Sequence, residues 1–217
     1  MTSESVENYL KAIYKLQGDD WVSTSEIAQR LGISSPSVSR MMKRLSQRKW
    51  VRHSPYKGVR LTSEGRRQAL RVVRNHRILE AYFSEVLGMP WDRVDREVER
   101  LEHVVSDDLI NRMEEALGFP KHDPHGSPIP DREGKMPASD ESQPLTELDA
   151  GSHIEVSRIA DAPPAALAYL KERGVVPGSK LELLRREPFD GPVVLKIEGR
   201  TVFLGVELSR RIWVVGA

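Results

Sequence analysis

A tight break between two short helical patterns constrains the fold of this chain more than any other feature. Ser23 is followed three residues later by Glu26, which is the spacing of a capping box at a helix start. Gly32 is typical of the position just beyond a helix end, and Pro36 is tolerated in the first turn of a new helix. The sequence therefore predicts two helices joined by a turn at 32–35, as in a helix-turn-helix.

The segments on either side extend this pattern into a domain. Residues 6–17 have apolar side chains at helical spacing, and short strands are predicted at 50–53 and 59–62 around a turn with Pro and Gly. This is the order of a winged helix-turn-helix, predicted over residues 1–72. These residues carry 14 Lys and Arg against 6 Asp and Glu, and so basic a surface suits a polyanion. We therefore expect this domain to bind double-stranded DNA.

The second helix of the turn has a composition suited to a major groove. Its serine hydroxyls both donate and accept hydrogen bonds, Pro36 offers an apolar face to a thymine methyl, and Arg40 can reach a guanine edge or a phosphate. Basic side chains on the wing would contact the DNA backbone. The expected DNA-contacting residues are Ser34, Ser35, Pro36, Ser37, Ser39, Arg40, Lys43, Arg44, Lys57 and Arg60. A solvated helix with serine caps is the alternative, but it does not account for the concentration of positive charge.

The middle of the chain carries the opposite charge. Residues 73–148 contain 9 Lys and Arg against 17 Asp and Glu, a balance that suits cations. Helices are predicted from residue 63 to about 87 and over 91–113, with a Gly-Met-Pro break between them. We place a helical domain at residues 73–140.

Acidic and imidazole side chains share one face of each of these helices. Spacings of three and four residues align side chains on a helix. They join these candidate metal ligands: His76 and Glu80 on the first helix, and Asp95, Glu99, Glu102 and His103 on the second. Carboxylate and imidazole ligands without sulfur suit Mn²⁺ or Fe²⁺, with Zn²⁺ and Co²⁺ as competitors. Two alternatives stay open: a solvated acidic face, and a metallohydrolase, although the sequence has no HExxH motif.

The last part of the chain changes character again. Six prolines lie between residues 119 and 147, which predicts a long loop, and we place a linker at 141–148. Over residues 149–217, short β-patterns alternate with Gly- and Pro-containing turns, and one helix is predicted at about 163–173. These patterns predict a small β-barrel. The expected fold class is mainly α with small β.

Composition narrows the functional classes. The 217 residues contain no cysteine, which excludes disulfides, thiolate metal ligands and thiol redox sensing. No apolar run approaches the ~18–20 residues of a membrane span, and the first residues do not have the pattern of a secretory signal. We expect a cytoplasmic protein that is not an enzyme, with no membrane partner and no small organic substrate.

Six segments together give a specific resemblance. These are ENYLKAIYKL, SEIAQRLGISSPSVSRMMKRL, YKGVRLTSEGR, NHRILEAYF, EVERLEHVVSD and HGSPIP. Through them the whole chain resembles the diphtheria toxin repressor/manganese transport regulator family of metal-dependent repressors. The resemblance implies a homodimer built through the middle domain, a palindromic operator, an SH3-like (FeoA-like) barrel at the end, and repression of metal-uptake genes. A winged-helix regulator that senses an organic ligand remains the rival interpretation.

The resemblance also implies ligand roles. The six candidate ligands on the two helices fall on family ligand positions, although Asp95 replaces a histidine of the iron-type members. Asn8 falls where the family places a ligand that links the metal to the DNA-binding domain. Glu99 stands where manganese-type members carry glutamate and iron-type members cysteine, which favours Mn²⁺ over Fe²⁺.

Some positions depart from the family pattern. Asn8 is neutral where manganese-type members tend to carry aspartate, and Lys11 replaces a ligating glutamate. A charged ammonium cannot ligate, so Lys11 is expected to pair with a site carboxylate instead. The stretch 163–166 offers no ligand from the third domain. His122, Asp123 and His125 form a further cluster in the loop, which we leave out of the expected ligands.

Overall fold

The basic first part of the chain forms the predicted winged helix-turn-helix. The computed structural model describes residues 3–18, 20–54, 56–138 and 141–217. The elements of the first part are α1 (Glu4–Gln17), α2 (Thr24–Leu31), α3 (Ser35–Gln47) and the antiparallel strands β1 (Val51–Ser54) and β2 (Gly58–Leu61). The capping box is confirmed: Ser23 and Glu26 exchange side-chain to backbone hydrogen bonds. Gly32 ends α2 in the left-handed conformation, with φ 64°.

One buried cluster holds these elements together. Leu10 and Ile13 of α1, Ile27 of α2 and Met42 of α3 have no exposed surface and pack in the same core. Burial of each such side chain contributes about 1.5–3 kcal/mol. Helix α1 therefore shares one core with both helices of the helix-turn-helix.

The middle part is helical and packs around the longest helix. Its elements are α4 (Ser63–Glu85), α5 (Asp95–Leu101) and α6 (Asp107–Ala116). Thr62 caps α4 by accepting a hydrogen bond from the Gly65 N–H. Ile78, Val98 and Ile110, one from each helix, are fully buried in their common core.

The acidic segment breaks where the sequence predicts continuity, and the single helix predicted over 91–113 is wrong. The chain turns after α5, and the Ser106 side chain accepts a hydrogen bond from the Leu109 N–H to start α6. A serine N-cap followed by two aspartates is a strong helix start, which the apolar periodicity across the break concealed. Glu102 and His103 therefore lie in the turn after α5.

The proline-rich segment that follows is irregular but well packed. The Asp123 carboxylate accepts hydrogen bonds from the backbone N–H groups of His125 and Ser127, at 2.8 and 2.9 Å. Ile129 is buried against the helices, and Arg77 of α4 donates to the Pro128 carbonyl. The loop is thereby fixed on the outside of α4.

The last part is a six-stranded antiparallel sheet with strand order β3-β8-β4-β5-β6-β7. Its strands are β3 (Gln143–Pro144), β4 (His153–Ile159), β5 (Lys180–Arg186), β6 (Val193–Ile197), β7 (Arg200–Leu204) and β8 (Ile212–Gly216), with helices α7 (Pro164–Glu172) and α8 (Val206–Ser209). Within the predicted linker 141–148, β3 pairs with β8, and Leu145 is buried in the core of the sheet. The fold class is therefore mainly α with small β, as predicted. No helix among the described residues is long and apolar enough to cross a membrane.

Candidate metal centre and DNA-binding surface

Three segments converge on the predicted metal site. On α4, one helical turn separates His76 from Glu80, and both face inward with 8% and 3% exposure. Asp95 and Glu99 lie one turn apart on α5, which packs against α4. The third segment is helix α1, which belongs to the DNA-binding part. The predicted metal site therefore includes side chains from outside the middle domain.

His76 is the central side chain of the predicted ligand set. Its Nε2 lies 3.3 Å from a Glu80 oxygen and 3.6 Å from an Asp95 oxygen. Its Nδ1 lies 3.8 Å from Glu99 Oε1 and 2.5 Å from Glu102 Oε2. One ligand atom each from His76, Asp95 and Glu99 lies within 4.8 Å of the others. We call these three residues the central cluster, and it has the donor types of a divalent-cation site.

His103 joins the site to α1. Its Nδ1 lies 2.7 Å from Glu7 Oε2, and its Nε2 lies 3.0 Å from Asn8 Oδ1 and 3.1 Å from Glu102 Oε1. We call Glu7, Asn8, Glu102 and His103 the α1-linked cluster. The predicted set does not include Glu7, and a glutamate in the first turn of a helix gives no sign by itself of a role beyond favouring the helix dipole. Only the tertiary structure shows that it faces His103.

Lys11 lies between the two clusters. Its Nζ is 2.7 Å from Glu99 Oε1, and 2.7 and 2.9 Å from the two oxygens of Glu102. It is also 3.4 Å from His76 Nδ1, and the residue is only 7% exposed. The expected pairing of Lys11 with a site carboxylate is therefore present, and it involves two carboxylates.

A third group lies beside Glu80 and contains two residues that the sequence analysis left out. Glu80, Asp123 and His125 are all buried, and one ligand atom of each lies within 4.8 Å of the others. His125 Nδ1 is 3.4 Å from Glu80 Oε1, and its Nε2 is 2.9 Å from the Trp91 carbonyl oxygen. We call these three residues the loop cluster. His122 instead forms an isolated backbone bridge within the loop.

The carboxylates of the site are balanced by the Lys11 ammonium and by protonated imidazoles. Burial alone would lower the pKa of His76, but Glu80 and Glu102 outweigh it and raise the pKa to about 9. Burial likewise opposes protonation of His103, but Glu102 and Glu7 raise its pKa to about 9. Burial would raise the pKa of Glu102, and its contacts with both histidines lower it instead. Protons on these imidazoles therefore hold the carboxylates together, and a cation would have to displace them.

The donor set fits a divalent cation that prefers oxygen and nitrogen ligands. Buried carboxylates are stable only when paired or when they bind a metal, and this site holds several around two imidazoles. The central cluster and the loop cluster line a cleft of about 830 Å³. Pro163 and Pro164 also line this cleft. Asp161 lines the cleft as well, with its carboxylate 2.8 Å from Lys15 Nζ and 2.8 Å from Arg30 Nη2.

The predicted DNA-contacting residues lie on one exposed stretch of the first domain and on the wing. All are exposed except Ser37, which is partly buried. Ser37 Oγ lies 3.0 Å from Ser34 Oγ, and Arg40 donates to it at 3.4 Å. Tyr56, fully exposed at the tip of the wing with φ 67°, is a further candidate that the sequence analysis does not include.

Comparison with known proteins divides the chain into three familiar parts. Residues 1–59 match the family model described as iron dependent repressor, N-terminal DNA binding domain. Residues 62–131 match iron dependent repressor, metal binding and dimerisation domain, and residues 143–215 match the FeoA domain. The three matches follow one another in the order of the structural parts.

Whole-chain comparisons agree with this division. The iron-dependent repressor IdeR of Mycobacterium tuberculosis is 33% identical over 190 residues, covering 82% of this chain and 83% of that protein. A solved manganese-dependent transcriptional repressor in complex with manganese is 40% identical, with a TM-score of 0.91, covering 98% of this chain and all of the other. The structure of ScaR with bound Zn²⁺ is 29% identical, with a TM-score of 0.87, covering 98% and 99% of the two chains.

Fold, site and relatives together define a metal-dependent, DNA-binding transcriptional repressor whose partners are double-stranded DNA and a second copy of the chain. The chain belongs to the diphtheria toxin repressor/manganese transport regulator family. This family consists of regulatory repressors, and its third domain here is the SH3-like FeoA domain.

Proposed function

We propose that this protein is a manganese-responsive repressor of metal-uptake genes that acts in the cytoplasm and binds a palindromic operator as a homodimer. The observation that carries the proposal is the contact of His103 with Asn8 and Glu7 across two domains. Through it, the ligand set of the middle part includes side chains of α1, and α1 shares a core with α3.

Four residues would hold the ion that links the domains. They are Asn8 of α1, Glu99 of α5, and Glu102 and His103 of the turn that follows. The remaining predicted ligands, His76, Glu80 and Asp95, add donors from α4 and the start of α5, and the loop cluster offers a further position. When bound, the ion supplies the concentrated positive charge that these carboxylates need once the imidazoles have lost their protons.

The chain itself converts this local order into DNA affinity. The contact between Asn8 and His103 fixes the position of α1. Helices α2 and α3 follow that position because they pack on the apolar face of α1. In a dimer, two such second helices must lie about one DNA turn (~34 Å) apart to read two half-sites. A loose α1 leaves that separation undefined, so specific binding falls while salt-dependent phosphate contacts persist.

The donor chemistry favours manganese. The ligand set is rich in carboxylate and has no sulfur, and Glu99 adds a hard oxygen donor. The relative with 40% identity was solved in complex with manganese. Ferrous ion is the alternative, since IdeR is named an iron-dependent repressor.

Selection of DNA by the loaded protein tests the proposal. Random double-stranded fragments would be selected with Mn²⁺, sequenced, and then used for binding titrations with Mn²⁺, Fe²⁺ and Zn²⁺. We expect a two-fold symmetric sequence, Mn²⁺-dependent binding, and loss of that dependence in Glu99→Ala and His103→Ala. Glu97→Gln is the matched control, because Glu97 of α5 faces Arg100 rather than the site.

Two outcomes would contradict the proposal. Full metal-dependent binding by either alanine variant would show that the ligand assignment is wrong. Fewer than one Mn²⁺ bound per chain in equilibrium dialysis would favour the winged-helix regulator that senses an organic ligand.

A further inference from the structure

Lys11 occupies the place of a cation within the ligand set. Its Nζ is within 2.9 Å of three carboxylate oxygens, which belong to Glu99 and Glu102. A lysine that merely neutralises a surface would contact one exposed carboxylate. Here Glu102 is 1% exposed and Lys11 is 7% exposed, and the Glu99 side chain, 45% exposed, closes the site on the solvent side. The ammonium is thus a desolvated positive charge in the same oxygen cage that a divalent ion would use.

We infer that Lys11 is a tethered competitor of the metal, whose ammonium must leave Glu99 and Glu102 before a divalent cation can bind both carboxylates. The inference rests on the proposed function, because it assumes that these carboxylates bind the ion. Two physical arguments support the competition between Lys11 and the metal. A carboxylate lone pair that accepts a hydrogen bond from the ammonium is not free to bind the ion, and a retained ammonium would repel a divalent ion a few ångströms away.

The position of Lys11 on α1 gives the competition a structural consequence. In the described structure, α1 is tied to the α5 region in two ways: by Lys11 to the carboxylates and by Glu7 and Asn8 to His103. Displacement of Lys11 removes the first tie and leaves the second. The chain therefore weakens its own metal affinity, which raises the metal concentration at which the repressor responds.

Direct metal titration of the full-length protein tests the inference. Lys11→Met keeps the length and apolar stem of the side chain but removes the charge, and Lys11→Arg keeps the charge. Lys15→Met is the matched control, because Lys15 lies one turn further along α1 and pairs with Asp161 instead. The readout is the Kd for Mn²⁺ from calorimetry or electron paramagnetic resonance, without DNA.

We expect Lys11→Met to bind Mn²⁺ at least ten-fold more tightly than the wild type, with Lys11→Arg and Lys15→Met within about three-fold of it. Mn²⁺ should also raise the melting temperature of Lys11→Met more than that of the wild type, because its metal-free carboxylates lack a counter-charge. Unchanged or weaker binding by a folded Lys11→Met would overturn the inference and leave the proposed function intact. Absence of Mn²⁺ binding in every protein, wild type included, would overturn both.

Discussion

The α1-linked cluster and the loop cluster have similar donors but join different parts of the molecule. In the first, His103 contacts Glu7 and Asn8 of α1, so its geometry depends on where the DNA-binding part lies. In the second, Asp123 and His125 face Glu80 of α4. The two clusters therefore differ in the elements that they connect, although their ligand chemistry is similar.

The loop cluster faces the other end of the molecule. The His125 carbonyl accepts a hydrogen bond from the Ile159 N–H of β4. A Cβ added at Gly126 would lie 2.0 Å from the Ser157 carbonyl oxygen, so the loop backbone closely approaches the same strand. Ordering of the loop cluster would therefore stabilise the contact between the middle part and the sheet. Its effect on α3 would be indirect.

The largest expected effect is on the α1-linked side. Glu102→Gln removes the carboxylate that contacts both His76 and His103. We expect at least a hundred-fold loss of Mn²⁺-dependent affinity for the selected DNA, measured by fluorescence anisotropy. Binding that remains should be salt-sensitive and equal with and without Mn²⁺. A Glu102→Gln variant that kept its full Mn²⁺-dependent DNA binding would show that the α1-linked cluster does not link the metal to the DNA-binding part.

The corresponding change in the loop cluster should act differently. Asp123→Asn keeps an oxygen that can accept the N–H groups of His125 and Ser127, so the loop can stay folded. We expect a smaller loss, about three- to ten-fold, in DNA affinity at saturating Mn²⁺. Mn²⁺ should meanwhile raise the melting temperature less than in the wild type. A loss as large as that of Glu102→Gln would show that the two clusters do not divide their roles as described.

The pH dependence of the unfolding free energy tests whether the imidazoles of the site carry protons in the folded, metal-free protein. The pKa of His76 and of His103 is raised to about 9 from the ordinary 6.5. A raised pKa in the folded state stabilises below pH 6.5, and that stability is lost as pH rises through about 9. The metal-free protein should therefore lose up to about 3 kcal/mol of unfolding free energy per imidazole across this range. The measurement is urea denaturation at pH 6.5, 8 and 9.5.

Two variants test which groups cause this decrease of the unfolding free energy with pH. His103→Asn should reduce the pH dependence, because only one of the two imidazoles remains. His153→Asn, on the exposed side of β4, should leave it unchanged. An identical slope in all three proteins would assign the proton release to other groups.

The smallest expected effect concerns a surface contact between the first and last parts of the chain. Asp161 accepts hydrogen bonds from Lys15 and Arg30, and all three side chains are about one quarter to one third exposed. Partly exposed ion pairs contribute about 0–1 kcal/mol. Asp161→Asn should therefore lower the unfolding free energy by less than about 1 kcal/mol and leave Mn²⁺ affinity within two-fold. A large loss of metal affinity would add Asp161 to the metal site.

The helix ends of the first domain could be predicted from the sequence because the interactions that define them involve neighbouring residues. The capping box at Ser23 and the left-handed Gly32 depend on neighbouring residues only, so both were predictable. The Ser106 cap is equally local, but the apolar periodicity that continues across it conceals the break in the helix. The placements of Glu7 and His125 result from packing between distant segments, and no spacing rule in the sequence reveals them.

An anomalous diffraction map at the manganese edge, from crystals of the protein with Mn²⁺ and its selected DNA, tests the central claim most directly. Our expectation is a peak among Asn8, Glu99, Glu102 and His103 in every DNA-bound subunit, with Lys11 withdrawn from the two carboxylates. A DNA-bound complex with manganese only at Glu80, Asp123 and His125, or with none, would contradict it.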